Sequence, residues 1–149
     1  MQYYWLNSID LEPGAVVRPG TWYRIKQTTP LDIWYMIETI YEEVRTESVE
    51  FANLPSRKKA LFLFLDKDLA LRYQRENRLS DLLYEVEVVD AQAKSATLDM
   101  GIIQTNILVP SPHIPDAEKY WRSANQDSHQ YSEFVTESSI KIIRKVSPT

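Results

Sequence analysis

An α+β domain is the fold class this sequence predicts, on three observations. Trp34, Ile37, Tyr41 and Val44 recur at three- and four-residue spacing, one apolar stripe on a helix. Leu83–Val89 alternates, with Tyr84, Val86 and Val88 on one side and Glu85 and Glu87 on the other, as a half-buried strand does. Two more strand-like runs, Ser132–Thr136 and Ile140–Val146, close the chain with only Glu137-Ser138-Ser139 between them. Helices thus separate early strands while the end is strand-rich, which is not the doubly wound α/β pattern.

In chain order, Tyr3–Asn7 mixes aromatic and aliphatic residues as a first strand, and Glu12-Pro13-Gly14 ends it in a turn. Pro19-Gly20 marks a second turn, followed by a short strand at Trp22–Lys26. Thr29 caps the first long helix, Pro30 takes its first position, Asp32 lies in its first turn, and it ends near Glu47. On it Glu42, Glu43 and Glu47 fall on the outer face. Ala60–Leu65 is apolar on both alternate faces, the pattern of a strand covered on both sides. Asp66 caps a helix from Lys67 to about Asn77, with Leu69, Ala70 and Tyr73 inward. Ile102–Val109 reads as a strand, Pro110, Pro112 and Pro115 as a stiff connection, and Asp116–Ala124 as a short helix carrying Tyr120 and Trp121. Asn125–Gln130 is a polar loop.

Composition narrows the chemistry. At 149 residues the chain predicts one domain, 1–149, long enough to build a core without staples. It has no cysteine, which excludes thiol nucleophiles, disulfides and thiolate zinc sites. Its three glycines, Gly14, Gly20 and Gly101, form neither GxGxxG nor GxxxxGK, so dinucleotide and P-loop fingerprints are missing. The opening MQYYWLNSIDLEPG lacks a positive start before an apolar run and does not read as a secretory signal. The longest apolar run, Ala60–Leu65, is far short of the ~20 residues that span a bilayer. A cytoplasmic protein without membrane association is the expectation. A net charge of −4 argues against a general nucleic-acid binder and leaves room for a local basic patch.

Most catalytic pairings fail on inspection. His113 and His129 lie in polar or proline-rich loops without HExxH spacing, so they read as surface residues and no metal site is expected. No GxSxG elbow exists. One carboxylate stands apart: Glu133 enters the apolar strand Phe134-Val135 directly after a polar loop. It is either a charged strand-start residue at the surface or a catalytic group, with Glu137 as the alternative if the register differs. Arg72, Arg75 and Arg78 share one helix side, either as a solvated face or as a contact for a polyanion. Trp121 reads as a packing anchor.

An ordered set of short motifs carries a resemblance. Leu11-Glu12-Pro13-Gly14, Arg18-Pro19-Gly20, Glu43-Val44-Arg45, Pro55-Ser56-Arg57, Leu61-Phe62, Tyr84-Glu85-Val86 and Tyr120-Trp121 run through most of the chain. With the late Glu133, they resemble the ADP-ribosyltransferase superfamily, and within it a small bacterial group recorded only as a domain of unknown function. The resemblance implies split mixed or antiparallel sheets with flanking helices around an NAD cleft. In that superfamily the first strand bears a His or Arg; the matching place holds Trp5, with Tyr4 beside it. The strand-opening serine matches Ser56, to steady the ribose or the first strand, or else only to end a turn. Arg57 would pair with a pyrophosphate or be solvated. The aromatics that stack on nicotinamide match Phe62 and Tyr73, which composition alone would assign to the core. The catalytic glutamate matches Glu133. Arginine-modifying members often carry Glu or Gln two places earlier, where this chain has Tyr131, which disfavours arginine as acceptor.

The resemblance therefore implies an NAD-dependent mono-ADP-ribosyltransferase acting on RNA, DNA or protein, as toxins and phage-defence effectors of the superfamily do, with NAD as substrate and an antitoxin as a possible protein partner. An NAD glycohydrolase and a non-enzymatic nucleotide-binding module are the alternatives.

Overall fold

Tyr3–Asn7 forms β1 as its mix of aromatic and aliphatic residues predicts, and it is the outer strand of the first of two sheets in the computed structural model, which describes residues 2–28 and 32–146. β2 is a two-residue strand, Val16–Val17. Gly20 then turns the chain in the left-handed region (φ 91°), where a Cβ would stand 3.3 Å from the Lys58 carbonyl oxygen.

That turn opens a helix, α1, Thr21–Gln27, and not the strand expected at Trp22–Lys26. The aromatic and branched residues of this run suit a strand locally, but tertiary packing decides. Trp22 meets Trp34 edge-on at 5.6 Å, Tyr23 stacks on Tyr35, and the Lys26 ammonium lies 4.6 Å from the Trp22 ring one helical turn away. Lys26 also bridges to Asp32 at 3.0 Å.

Helix α2, Ile33–Glu47, carries the expected stripe, and its cap is Asp32, whose carboxylate accepts from the Trp34 N–H at 2.8 Å. The start expected at Thr29-Pro30 lies outside the described residues. Buried with Ile37 and Tyr41 is a residue the stripe reading passed over, Glu38. Glu42 is half-buried and not on the solvent face as expected: it accepts from Arg45 and, at 2.8 Å, from the Ser56 hydroxyl.

After a helical turn at Arg57–Lys59 come β3, Leu61–Leu63, and α3, Lys67–Asn77, capped by Asp66 as expected. β4, Leu82–Val88, pairs with β1 in the register Trp5↔Tyr84. On it Glu87 is exposed, but Glu85 is buried and accepts from Arg144 at 2.7 Å. α3 packs against the face of β1 and β4 that the sequence reading left to solvent.

β5 is Ser95–Asp99, a polar run that was not expected to be a strand. The strand expected at Ile102–Val109 does not form. The Asp99 carboxylate accepts from the Gly101 N–H at 2.9 Å, which closes a tight helical turn over Met100–Ile102 and takes the chain off the sheet. α4 spans His113–Arg122, and β6, Ser132–Thr136, and β7, Ile140–Val146, match their expected bounds.

The first sheet has the order β1-β4-β7-β2 and the second β3-β6-β5, each paired antiparallel. They touch at one bridge, where Tyr4 and Phe64 exchange backbone hydrogen bonds of 2.9 and 2.7 Å. One core lies between the sheets, around Trp5, Leu63, Tyr84 and Ile142. A second holds α2 and α4 against the other sheet around Tyr41, Trp121 and Val135. Among the described residues no helix is long and apolar enough to cross a membrane.

Trp121 anchors that second core. It is fully buried and donates its indole N–H to the Tyr41 carbonyl oxygen at 2.9 Å. Trp121→Ala is expected to cost about 3–5 kcal/mol from the cavity. That is a drop of roughly 10 °C in melting temperature, read by differential scanning calorimetry.

Candidate functional site

Four ionisable or polar side chains from separate elements meet at one end of the second sheet. Arg57, in the turn before β3, is 3% exposed and its Nε and Nη2 grip the Glu38 carboxylate at 2.8–3.0 Å. Its Nη1 donates to the Tyr120 hydroxyl at 2.6 Å and to Glu133 Oε1 at 3.2 Å. Tyr120, from α4, donates to the same Oε1 at 3.3 Å. The guanidinium also lies 4.4 Å from the Phe62 ring. α2 supplies Glu38 and β6 supplies Glu133, whose side chain is 13% exposed.

The charge balance is uneven. Two carboxylates, Glu38 buried and Glu133 half-buried, face one guanidinium, so the cluster holds a surplus negative charge whenever both are ionised. Burial lifts the Glu133 carboxyl above the ordinary carboxylate range; Arg57 opposes that rise and Glu38 adds to it. Burial works against the Arg57 charge, but Glu38, Tyr120 and Glu133 hold its proton more firmly than usual. Burial likewise keeps the Tyr120 phenol protonated well above its ordinary range, against the pull of Arg57. Among the described residues, the donors on Glu133 both use Oε1.

Glu133 and Arg57 line a crevice with two chambers. The smaller one, about 90 Å³, is walled by Trp22, Trp34, Phe62, Phe64, Tyr73, Arg78 and Met100. The larger one, about 360 Å³, adds Arg72, Glu76, Thr105 and Tyr131 and falls in the range of small-molecule sites. Trp34, Arg57, Tyr73, Met100 and Glu133 line both chambers. Such a crevice offers aromatic faces and a fixed acceptor, the requirements of a planar cation or a sugar bearing developing positive charge.

Of the residues singled out in the sequence, Glu133, Arg57, Phe62 and Tyr73 come together here. Arg57 is neither solvated nor presented to a pyrophosphate: its fork is spent on Glu38, Tyr120 and Glu133. Trp5 is buried between the sheets, and Tyr4 packs beside Phe64 and lines a separate cleft with Lys67, Glu85 and Arg144. Ser56 is also absent from the crevice walls, its hydroxyl bonded to Glu42 and its N–H donated to Glu137 at 3.0 Å. Glu137 is thereby used at the opposite end of β6, which separates it from Glu133. The arginine row divides: Arg72 lies 5.2 Å from the Tyr131 ring, whereas Arg78 pairs with Asp81 at 2.9 Å. His113 is not at the surface but buried, bonded through Nε2 to the Ile107 carbonyl oxygen at 2.7 Å, and His129 is half-buried with Nε2 2.7 Å from the Ser123 carbonyl oxygen.

The sequence reading missed Glu38, the Tyr120 hydroxyl, Trp22 and Trp34 as parts of the site. A signal existed for Glu38: it stands four residues after Trp34 and three before Tyr41, a carboxylate on the apolar stripe.

The family described as "Protein of unknown function (DUF2441)" matches residues 19–148, most of the chain. The chain belongs to the DUF2441 family. No curated protein matches it. In this DUF2441 member the span holds Glu38, Arg57, Tyr120, Glu133 and every aromatic wall of the crevice, while β1, with Tyr4 and Trp5, precedes it.

Proposed function

We propose that this chain is an NAD-dependent mono-ADP-ribosyltransferase in which Glu133 is the catalytic carboxylate. One observation carries the reading: Glu133 is held through Oε1 by Arg57 and Tyr120 at the wall of an aromatic crevice, which leaves Oε2 for a substrate hydroxyl.

The chemistry asks for little more. When the ribose C1′–nicotinamide bond breaks, its electron pair leaves with nicotinamide and positive charge builds on C1′ and the ring oxygen, as in glycoside cleavage. Glu133 Oε2 accepts a hydrogen bond from the ribose 2′-hydroxyl and stabilises that charge. The surplus negative charge of the cluster favours the positively charged nicotinamide ring on binding. Phe62 and Tyr73 flank the ring and exclude water, which strengthens the electrostatic effect. A nucleophile of the acceptor then gives its pair to C1′ and releases its proton to solvent. Arg57 and Tyr120 are positioning residues: they fix the carboxylate and touch no reacting atom.

The test is incubation with labelled NAD and cell lysate. Label on a macromolecule together with free nicotinamide supports the transferase. Nicotinamide without transferred label makes it a glycohydrolase, and neither product from folded protein removes the enzyme reading.

Tyr73 lines both chambers, so Tyr73→Ala is expected to raise KM for NAD about tenfold through lost ring contact, while Tyr73→Phe stays near wild type. Initial rates of nicotinamide release measure the pair. Equal KM values for the Ala and Phe variants would take the ring out of the binding site.

A further inference from the structure

Tyr131 stands two residues before Glu133, and both line the larger chamber. Its place is built, not incidental. Asp99 accepts from the Gln130 and Tyr131 N–H groups, both at 3.1 Å, and clamps the segment onto the end of β5. Gly101 makes room for the ring, since a Cβ there would come within 3.0 Å of Tyr131 Cδ2. The Arg72 guanidinium lies 5.2 Å from the ring. Arg75, one helical turn further, lines an adjoining cleft of about 560 Å³ with His129, Gln130 and Ser132, and Leu69 and Arg72 belong to both spaces. Arg72 and Arg75 are exposed, and among the described residues neither enters a salt bridge. Asp66 and Asp68 border the same cleft near the start of α3; Asp68 lies seven residues from Arg75, about 10 Å along the helix.

We propose that this rim binds single-stranded nucleic acid as the acceptor, with one unpaired base stacked on Tyr131 and its flanking phosphates on Arg72 and Arg75. The inference rests on the transferase reading for its chemistry and on the rim alone for its binding. An aromatic ring beside two exposed guanidiniums is the combination that grips unstacked bases and their backbone. A base stacked and paired inside a duplex cannot stack on Tyr131, which selects single strands. The platform leaves a base nitrogen or sugar hydroxyl facing the Glu133 chamber, where it forms the new bond to C1′, nicotinamide leaves with the old bond's electron pair, and the acceptor's proton passes to solvent.

Fluorescence anisotropy with short labelled single-stranded DNA and RNA, and a duplex control, tests the binding without NAD. Single strands are expected to bind more tightly than the duplex. Tyr131→Ala should weaken them about tenfold while Tyr131→Phe binds as wild type. Arg72→Gln and Arg75→Gln should each flatten the salt dependence by about 0.7 of a log unit per log unit of salt. Absent binding, binding indifferent to these variants, or transferred label found on protein in place of the oligonucleotide would overturn the proposal. Label transfer and nicotinamide release from NAD in cell lysate are assayed beside it. Label on a macromolecule that depends on Glu133, without oligonucleotide binding, sinks the acceptor and spares the transferase. Binding with the stated variant pattern but no release supports the rim and sinks the transferase.

Discussion

Arg57→Met is expected to destabilise the protein by about 3–5 kcal/mol, because it leaves the buried Glu38 and the half-buried Glu133 without their counter-charge. Methionine keeps the apolar stem but ends short of the guanidinium position, so the loss combines the missing charge with a small cavity. Glu38 would lose its bidentate partner and Glu133 its shortest contact, both in a site where the guanidinium is 3% exposed. For a chain of this length, that is roughly 10 °C or more in melting temperature. Arg57→Lys is expected to recover only part of it, since an ammonium cannot reach Glu38, Tyr120 and Glu133 with one planar fork. Adding Glu38→Gln to Arg57→Met should recover the electrostatic part of the loss at Glu38, because that buried charge disappears. Denaturant unfolding of the four proteins at neutral pH measures this. A Met variant as stable as wild type would mean that the cluster opens to water in solution.

Glu133→Gln is expected to lower turnover by about 10²–10³-fold, the usual loss when one preorganised electrostatic group is removed. The fold should survive, since the amide oxygen can still accept from Arg57 and Tyr120. Stability should even move in its favour at neutral pH, with a sign that follows from linkage. The Glu133 pKa in the fold is raised above its ordinary 4.5. Such a group contributes fully below its unfolded pKa, and that contribution is lost as pH rises through the folded value. Glutamine does not titrate. The variant should therefore gain on wild type from about pH 4.5 upward and level off above the folded pKa. Each tenfold difference in proton affinity between the folded and unfolded chain makes that gain larger by about 1.4 kcal/mol. Melting curves from pH 4 to 8 give the profile. A variant that loses ground as pH rises would show that Glu133 is stabilised as an anion, and retained turnover would remove it as the catalytic carboxylate.

The parts legible from residues alone are those decided by neighbours in the chain. The stripe Trp34–Val44, the Asp66 cap, the bounds of α3 and the two closing strands follow from periodicity and capping, which act over a few residues. Where competing local signals were weak, the reading failed. Trp22–Lys26 has strand-like composition but is helical because Trp34 and Tyr35 receive its rings. Ser95–Asp99 is polar yet pairs along its length with β6, whereas the more apolar Ile102–Val109 is led off the sheet by the Asp99–Gly101 turn. Glu85 looked solvent-facing until α3 covered its strand.

The candidate site divides along the same line. A carboxylate entering an apolar strand marked Glu133, and residue type with order marked Arg57, Phe62 and Tyr73. The partners of Glu133 could not be read this way: Arg57 is 76 residues from it, Tyr120 is 13, and the Glu38–Arg57 pair spans 19. Alternation and capping settle which way a side chain faces within its own element. Only the closure of α2, α4 and the β3–β6 sheet on one another decides that two carboxylates share one guanidinium, because burial and Coulomb energy depend on distances in space that one-dimensional spacing does not encode.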